Sequence, residues 1–158
     1  MSLGMGSYCN SPISEEIKVG NYTSIAEDCY FHAKGDNHLV AVNKKCVYTT
    51  NWNQPEKENH IEIGNDVWIC RGVKILPGIK VGTGAIIGAY SVVTKDVPPF
   101  AFVAGNPARI KRYRFSKAKI KKLLKIQWWN WKDEKVRRAF KSGYMTDIDL
   151  FLIMYSKV

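Results

Sequence analysis

A six-residue period runs unbroken from Ile63 to Pro98 and limits what this chain can fold into. In hexads the segment reads IGNDVW, ICRGVK, ILPGIK, VGTGAI, IGAYSV, VTKDVP. Each first position is a branched aliphatic: Ile63, Ile69, Ile75, Val81, Ile87 and Val93. Each fifth is apolar or small: Val67, Val73, Ile79, Ala85, Ser91 and Val97. Within a hexad the alternation is that of a short strand, with Val67 and Ile69 on one side and Trp68 on the other. The dipeptides between strands, such as Asn65-Asp66, Pro77-Gly78 and Thr83-Gly84, are turn formers. A helix is excluded because the period is 6 rather than 3.6 and Gly recurs throughout. A repeat of this kind buries its apolar side only by stacking unit on unit, so the pattern predicts an all-β solenoid with an aliphatic interior.

A weaker copy of the period lies upstream, in Ile13, Val19, Ile25 and Phe31, with Ser11, Ile17, Thr23 and Cys29 as their inward companions. The frame then breaks, because Phe31 and Ile63 are not a multiple of six apart. The polar stretch at 33–60 is therefore expected to be a loop thrown out of the solenoid, and long loops inside compact repeats usually carry function. The repeat domain is expected to span 5–115, with residues 1–4 set aside from the fold reading. A helical extension should occupy 116–158. Ser116 can cap a first helix with Ile120, Leu123, Leu124 and Trp128 on one face, and two shorter helices fit at 133–141 and 147–155.

The chain has 158 residues and a formal charge of +10. Residues 109–141 hold fourteen Lys and Arg against two acids and supply most of that excess. A solvated helix face is the simplest account of the run. Nucleic-acid binding is disfavoured, because aromatic residues interleave poorly with the basic ones. No apolar stretch is long enough to span a membrane. The four cysteines show no paired spacing, which fits a reduced, cytoplasmic setting, with Cys29 as a buried small hydrophobe. Outward apolar residues in rows, Trp68 with Cys70 and Ile86 with Gly88, predict a homo-oligomer.

The hexads, the run VTKDVPPFAFVAGNPARIKRYRF at 93–115 and the tail IKKLLKIQWWNW at 120–131 together resemble the hexapeptide-repeat acyltransferases. Among these the chain is most similar to the xenobiotic enzymes that O-acetylate chloramphenicol and streptogramins, and related sugar and polysaccharide O-acetyltransferases share the pattern. The resemblance implies a left-handed parallel β-helix and a homotrimer with its sites at subunit junctions. It also implies acetyl-CoA as co-substrate, no metal, and a loop histidine as base. That histidine corresponds to His38 in GDNHLV. An alcohol is a poor nucleophile at neutral pH, and imidazole titrates where a general base must. His32 and His60 then take structural or acceptor-facing roles.

For the cofactor, the resemblance puts Ala89, Thr94 and Lys95 along the pantetheine arm and phosphates, with Arg109 and Arg112 near the phosphorylated ribose. Gly88, like Gly82, lacks a side chain at an outward position and permits close approach. Lys95-Asp96 can equally be a simple turn, and Trp68 can serve cofactor or trimer packing. After His38 the sequence LVAVNKKCVYTTNWNQ departs from the xenobiotic pattern and is polar, which places a sugar or polysaccharide hydroxyl first as acceptor and an antibiotic second. A metal site like that of γ-type carbonic anhydrases is disfavoured, because His32 and His38 do not converge.

Overall fold

The computed structural model describes residues 2–12, 17–31 and 60–156. Thirteen short strands lie among them. The first five are β1 (Ser2–Leu3), β2 (Tyr8–Cys9), β3 (Ile17–Val19), β4 (Ser24–Ile25) and β5 (Tyr30–Phe31). After the excursion follow β6 (Ile61–Ile63), β7 (Trp68–Ile69), β8 (Lys74–Ile75), β9 (Lys80–Val81), β10 (Ile86–Ile87) and β11 (Val92–Val93). A closing hairpin is made of β12 (Ala101–Ala104) and β13 (Arg109–Tyr113).

These strands stack into three walls. Wall A is β1-β3-β6-β9, wall B is β2-β4-β7-β10-β12-β13, and wall C is β5-β8-β11. Every pairing is parallel except β12 with β13. Partners below the excursion are 18 residues apart, as in Ile69↔Ile87 and Ile75↔Val93, so one coil is three hexads. Across the excursion the same pairing joins Ile25 to Ile69 and Phe31 to Ile75. The solenoid therefore continues in register on both sides of the inserted segment.

The hexad pattern accounts for the interior residue by residue. Ile69, Val73, Ile75, Ala85 and Ile87 are fully buried, and Ile63, Val67, Ile79, Val81, Val93 and Val97 nearly so. Upstream, Ile17, Ile25 and Thr23 are equally buried, and Cys29 is 4% exposed. Completely burying such an aliphatic side chain contributes roughly 1.5–3 kcal/mol. The two buried polar side chains bond to backbone: Thr23 Oγ1 donates to Gly64 O, and Ser91 Oγ donates to Gly88 O.

The C-terminal extension contains α1 (Lys117–Ile126), a 3-10 turn (Trp128–Asn130), α2 (Asp133–Lys141) and α3 (Ile148–Tyr155). Ser116 caps α1 by accepting from Lys119 N, and Asp147 caps α3 by accepting from Asp149 N and Leu150 N. One expectation is corrected: Trp128 does not continue α1. Gln127 adopts left-handed φ 48°, ends the helix, and sends Trp128 into the 3-10 turn. That turn drives Trp129 into a second apolar cluster with Phe100, Leu123, Phe151 and Leu152. The extension thus packs on the corner between walls A and B. Among the described residues, no helix is long and apolar enough to cross a membrane.

Candidate functional site

The expected loop at 33–60 lies almost wholly outside the described residues; the chain is described up to Phe31 in wall C and again from His60, ahead of Ile61 in wall A, on either side of the CA corner. His32 and His38 lie outside the described residues. His60, at the foot of the loop, is exposed. The next coil turns this corner through Pro77-Gly78, and the one after through Thr94, Lys95 and Asp96. Adjacent coils are separated by about 4.8 Å, so the loop foot stands roughly 10 Å above Lys95 on one edge of the prism. Thr94 is half-buried and Lys95 exposed. Asp96 Oδ1 accepts from Lys80 N at 2.8 Å, which fixes the turn and leaves the lysine projecting. Both readings of Lys95-Asp96 are thus compatible with one geometry.

The other expected cofactor residues are elsewhere. Gly88 and Ala89 follow β10 at the BC corner, and Arg109 opens β13 just below that corner. Ala89 and Arg109 are exposed, and Arg109 Nη1 donates to Ala108 O at 2.9 Å. Gly88 is buried: a Cβ there would come within 2.9 Å of the Ala104 Cβ. The missing side chain therefore accommodates the next strand of the same chain. Gly82 behaves alike, its absent Cβ facing Pro99 N at 2.5 Å. Trp68 is 54% exposed on the outer face of wall B. It is in register with Ile86, Phe102 and Arg112, forming one row across that face. The Arg112 guanidinium covers the Phe102 ring at 5.4 Å.

Within one chain, then, Thr94 and Lys95 flank wall C on one side, while Gly88, Ala89 and Arg109 flank it on the other. The two groups do not share a pocket. Along wall A runs an open groove of about 680 Å³ between the rows of Lys18, Glu62 and Lys80 and the segment Asp96 to Pro99. Burial pushes the Cys9 and Cys70 thiols up, so less of each is thiolate at neutral pH.

Residues that the sequence reading passed over lie at the AB corner. Arg114, counted within the solvated basic run, reaches inward to Asp66 at 2.8 Å, and the pair is about three-quarters buried. Asn21, Asn65 and Thr83 form a ladder down the same corner, and Asn21 Nδ2 donates to Trp129 O. Their spacing by coil was the available signal.

Comparison with known proteins agrees with this architecture. Residues 60–95 match the family model described as bacterial transferase hexapeptide (six repeats). The chain is 38% identical over 135 residues to a "Probable macrolide acetyltransferase" of Lysinibacillus sphaericus, an alignment covering 78% of this chain and 74% of that protein. The chain belongs to the hexapeptide-repeat acetyltransferase family. Its fold is accordingly the left-handed parallel β-helix. It is also 50% identical over 84 residues to a chloramphenicol acetyltransferase of Klebsiella aerogenes, covering 53% of this chain and 40% of that one. A maltose O-acetyltransferase from Clostridium difficile 630 superposes with a TM-score of 0.54 at 27% identity, over 72% of this chain and 59% of that chain. A hexapeptide-repeat acetyltransferase from Vibrio cholerae, solved with acetyl-coenzyme A, gives 0.54 at 28% identity over 72% and 60%. This chain thus spans less than two thirds of the chloramphenicol relative and of both solved structures.

Proposed function

We propose that this family member is an acetyl-CoA-dependent O-acetyltransferase whose acceptor is a hydroxyl of an antibiotic-type small molecule. The similarity to the macrolide enzyme supports this reading, because at 38% identity it covers 78% of this chain and 74% of that protein. The polar 33–60 segment alone favours a saccharide, and the likeness to the maltose enzyme keeps that as the second reading. The order of the two acceptors is thereby reversed from that expected on sequence.

In the proposed reaction, His38 takes the proton of the acceptor hydroxyl as its oxygen attacks the thioester carbonyl. The carbon–sulfur bond breaks, and coenzyme A leaves as its thiol after receiving the proton from the imidazolium. Lys95 and Arg109 supply charge-assisted bonds to coenzyme phosphates, for which a guanidinium fork is well shaped. Thr94 and Ala89 line the path of the arm, and Trp68 and Arg112 belong to its outer wall, whereas Gly88 is taken up by the packing of the next strand. Because the Lys95 group and the Arg109 group flank wall C from opposite corners, a complete site needs two chains, as in a homotrimer.

The test is thiol release from acetyl-CoA with chloramphenicol, a macrolide, streptogramin A and maltose as acceptors. Turnover with an antibiotic is expected, and His38→Ala should lower kcat by about 10² to 10⁴ while leaving acetyl-CoA affinity unchanged. Turnover confined to maltose would establish the second reading. Full activity in His38→Ala would remove His38 as the base.

A further inference from the structure

The AB corner, away from the residues assigned to acyl transfer, holds a cavity of about 510 Å³ between the C-terminal helices and the β-helix. That volume suits a small molecule. Its walls are apolar and largely aromatic, including Phe115, Leu123, Trp128 and Phe151. Its lining also holds four polar side chains: Asp66, Arg114, Tyr22 and Thr146. Arg114 Nη1 donates to Asp66 Oδ2 and to Gly84 O, each at 2.8 Å. Its guanidinium plane lies 5.6 Å from the Phe100 ring centroid and 5.4 Å from that of Phe115.

The hydrogen bonding here is incomplete. A carboxylate accepts at about four sites, yet among the described residues Asp66 accepts from Arg114 alone. Burial raises the Asp66 carboxyl against the opposing charge and hydrogen bond of Arg114. The Tyr22 hydroxyl is buried and, among the described residues, has no hydrogen-bond partner. Buried polar groups are rarely left unsatisfied, and each exception calls for an explanation. The Tyr22 hydroxyl is such an exception, and with the unfilled acceptor sites of Asp66 it lines the apolar chamber with polar capacity that a molecule entering it would complete.

We propose that this corner cavity is a second small-molecule site, which takes a neutral amphiphile with an apolar, aromatic-sized body and one hydroxyl or amide head. The head class follows from charge. Asp66 and Arg114 sum to zero, so an ionised head would face one like charge at close range in a poorly solvated setting. A hydroxyl or amide both donates, to Asp66, and accepts, from Arg114 or Tyr22. The body class follows from the aromatic walls. The assignment is independent of which acceptor the enzyme acetylates.

The full chain is titrated with 4-phenylbutanol, 4-phenylbutanamide, 4-phenylbutanoate, 4-phenylbutylamine and butylbenzene, followed by tryptophan fluorescence and amide NMR shifts. The alcohol and the amide should bind about tenfold more tightly than the other three, with shifts at Met145 and Thr146. Thr146 is exposed in the cavity lining, so Thr146→Trp should fill the mouth and abolish binding while a single cooperative melting transition is kept, lowered only by loss of the hydroxyl's bond to Gly143 O. Tyr22→Phe keeps the ring and removes the hydroxyl, so the preference for the alcohol over butylbenzene should narrow severalfold. No binding of any probe up to about 5 mM, a very weak limit, would overturn the site. Equal or tighter binding of the ionised probes, or binding unchanged in both variants, would overturn it as well.

Discussion

At the AB corner each coil turns through one residue of left-handed backbone, and the occupants form a vertical series: Gly6, Tyr22, Asp66, Gly84 and Phe100, with φ between 53° and 74°. The order has a packing reason. The Tyr22 ring lies over Gly6 and the Phe100 ring over Gly84, so each bulky residue uses space that a glycine vacates. A Cβ on Gly84 would sit 2.4 Å from Phe100 Cδ1. Gly84→Ala should therefore cost about 2 kcal/mol or more in urea unfolding, from strain and overlap together. The turn at Gly84 was legible in the sequence; Tyr22 and Phe100 in left-handed backbone were not, because what permits them lies one coil away. Asp66, between them, has its carboxyl raised by burial despite Arg114. A raised carboxyl favours the folded state most while protonated, and that contribution is lost as pH rises through the folded value. Relative to Asp66→Asn, the wild-type melting temperature should thus fall as pH is taken from below about 4, the ordinary carboxylate value, towards neutrality. The opposite slope would mean that Arg114 outweighs desolvation at this site.

The helical extension is legible at its starts and obscure at its ends. Ser116 was readable as a cap, Asp147 only as the start of the last helix, and the boundaries of α2 agree with the acidic start and basic finish of its sequence. The stop after Ile126 had no such mark, since Gln seldom occupies the left-handed cap that glycine favours. The consequence matters more than the boundary, because the stop turns Trp129 inward. It is 3% exposed, its ring centroid is 6.4 Å from that of Phe100, and its carbonyl accepts from Asn21 Nδ2. Trp129 thus ties the extension to the β-helix through both its ring and its backbone carbonyl, beside the Tyr22–Trp128 ring contact. Trp129→Ala should destabilise the chain by about 3–5 kcal/mol, as large aromatic deletions in cores do. Differential scanning calorimetry would show whether the loss falls on the whole transition or splits a separate helical step from it. Arg114 was hidden for a related reason: a basic run reads as solvated until a neighbouring corner provides a buried carboxylate.

On the scale of the molecule, the hexads determine the interior and hence the three walls, whereas the assembly of the site depends on what lies outside one chain. The sequence located the loop and the motif residues but could not show that they fall on different corners, because that needs the phase of each hexad around the prism. The Thr94-Lys95 turn lies at the CA corner, at which the chain passes from Phe31 to Ile61 in sequence, while Ala89 and Arg109 share the BC corner. If a site is completed between neighbours in the proposed trimer, His38 and Arg109 come from different chains. Complementation separates this from a site within one chain. His38→Ala and Arg109→Ala chains are each purified, mixed in equal amounts, dissociated, reassembled and assayed at low acetyl-CoA. Any trimer containing both variants then has one junction with an intact His38 on one side and an intact Arg109 on the other. With random reassembly about a quarter of all junctions are wild type, so about a quarter of normal activity should return from two nearly inactive parents. His38→Ala mixed with Lys95→Ala should not recover in this way, because in the proposed site those two residues come from the same chain. Recovery in the second mixture but not the first would reverse the assignment of corners to sides of the junction, and recovery in neither would place the whole site within one chain.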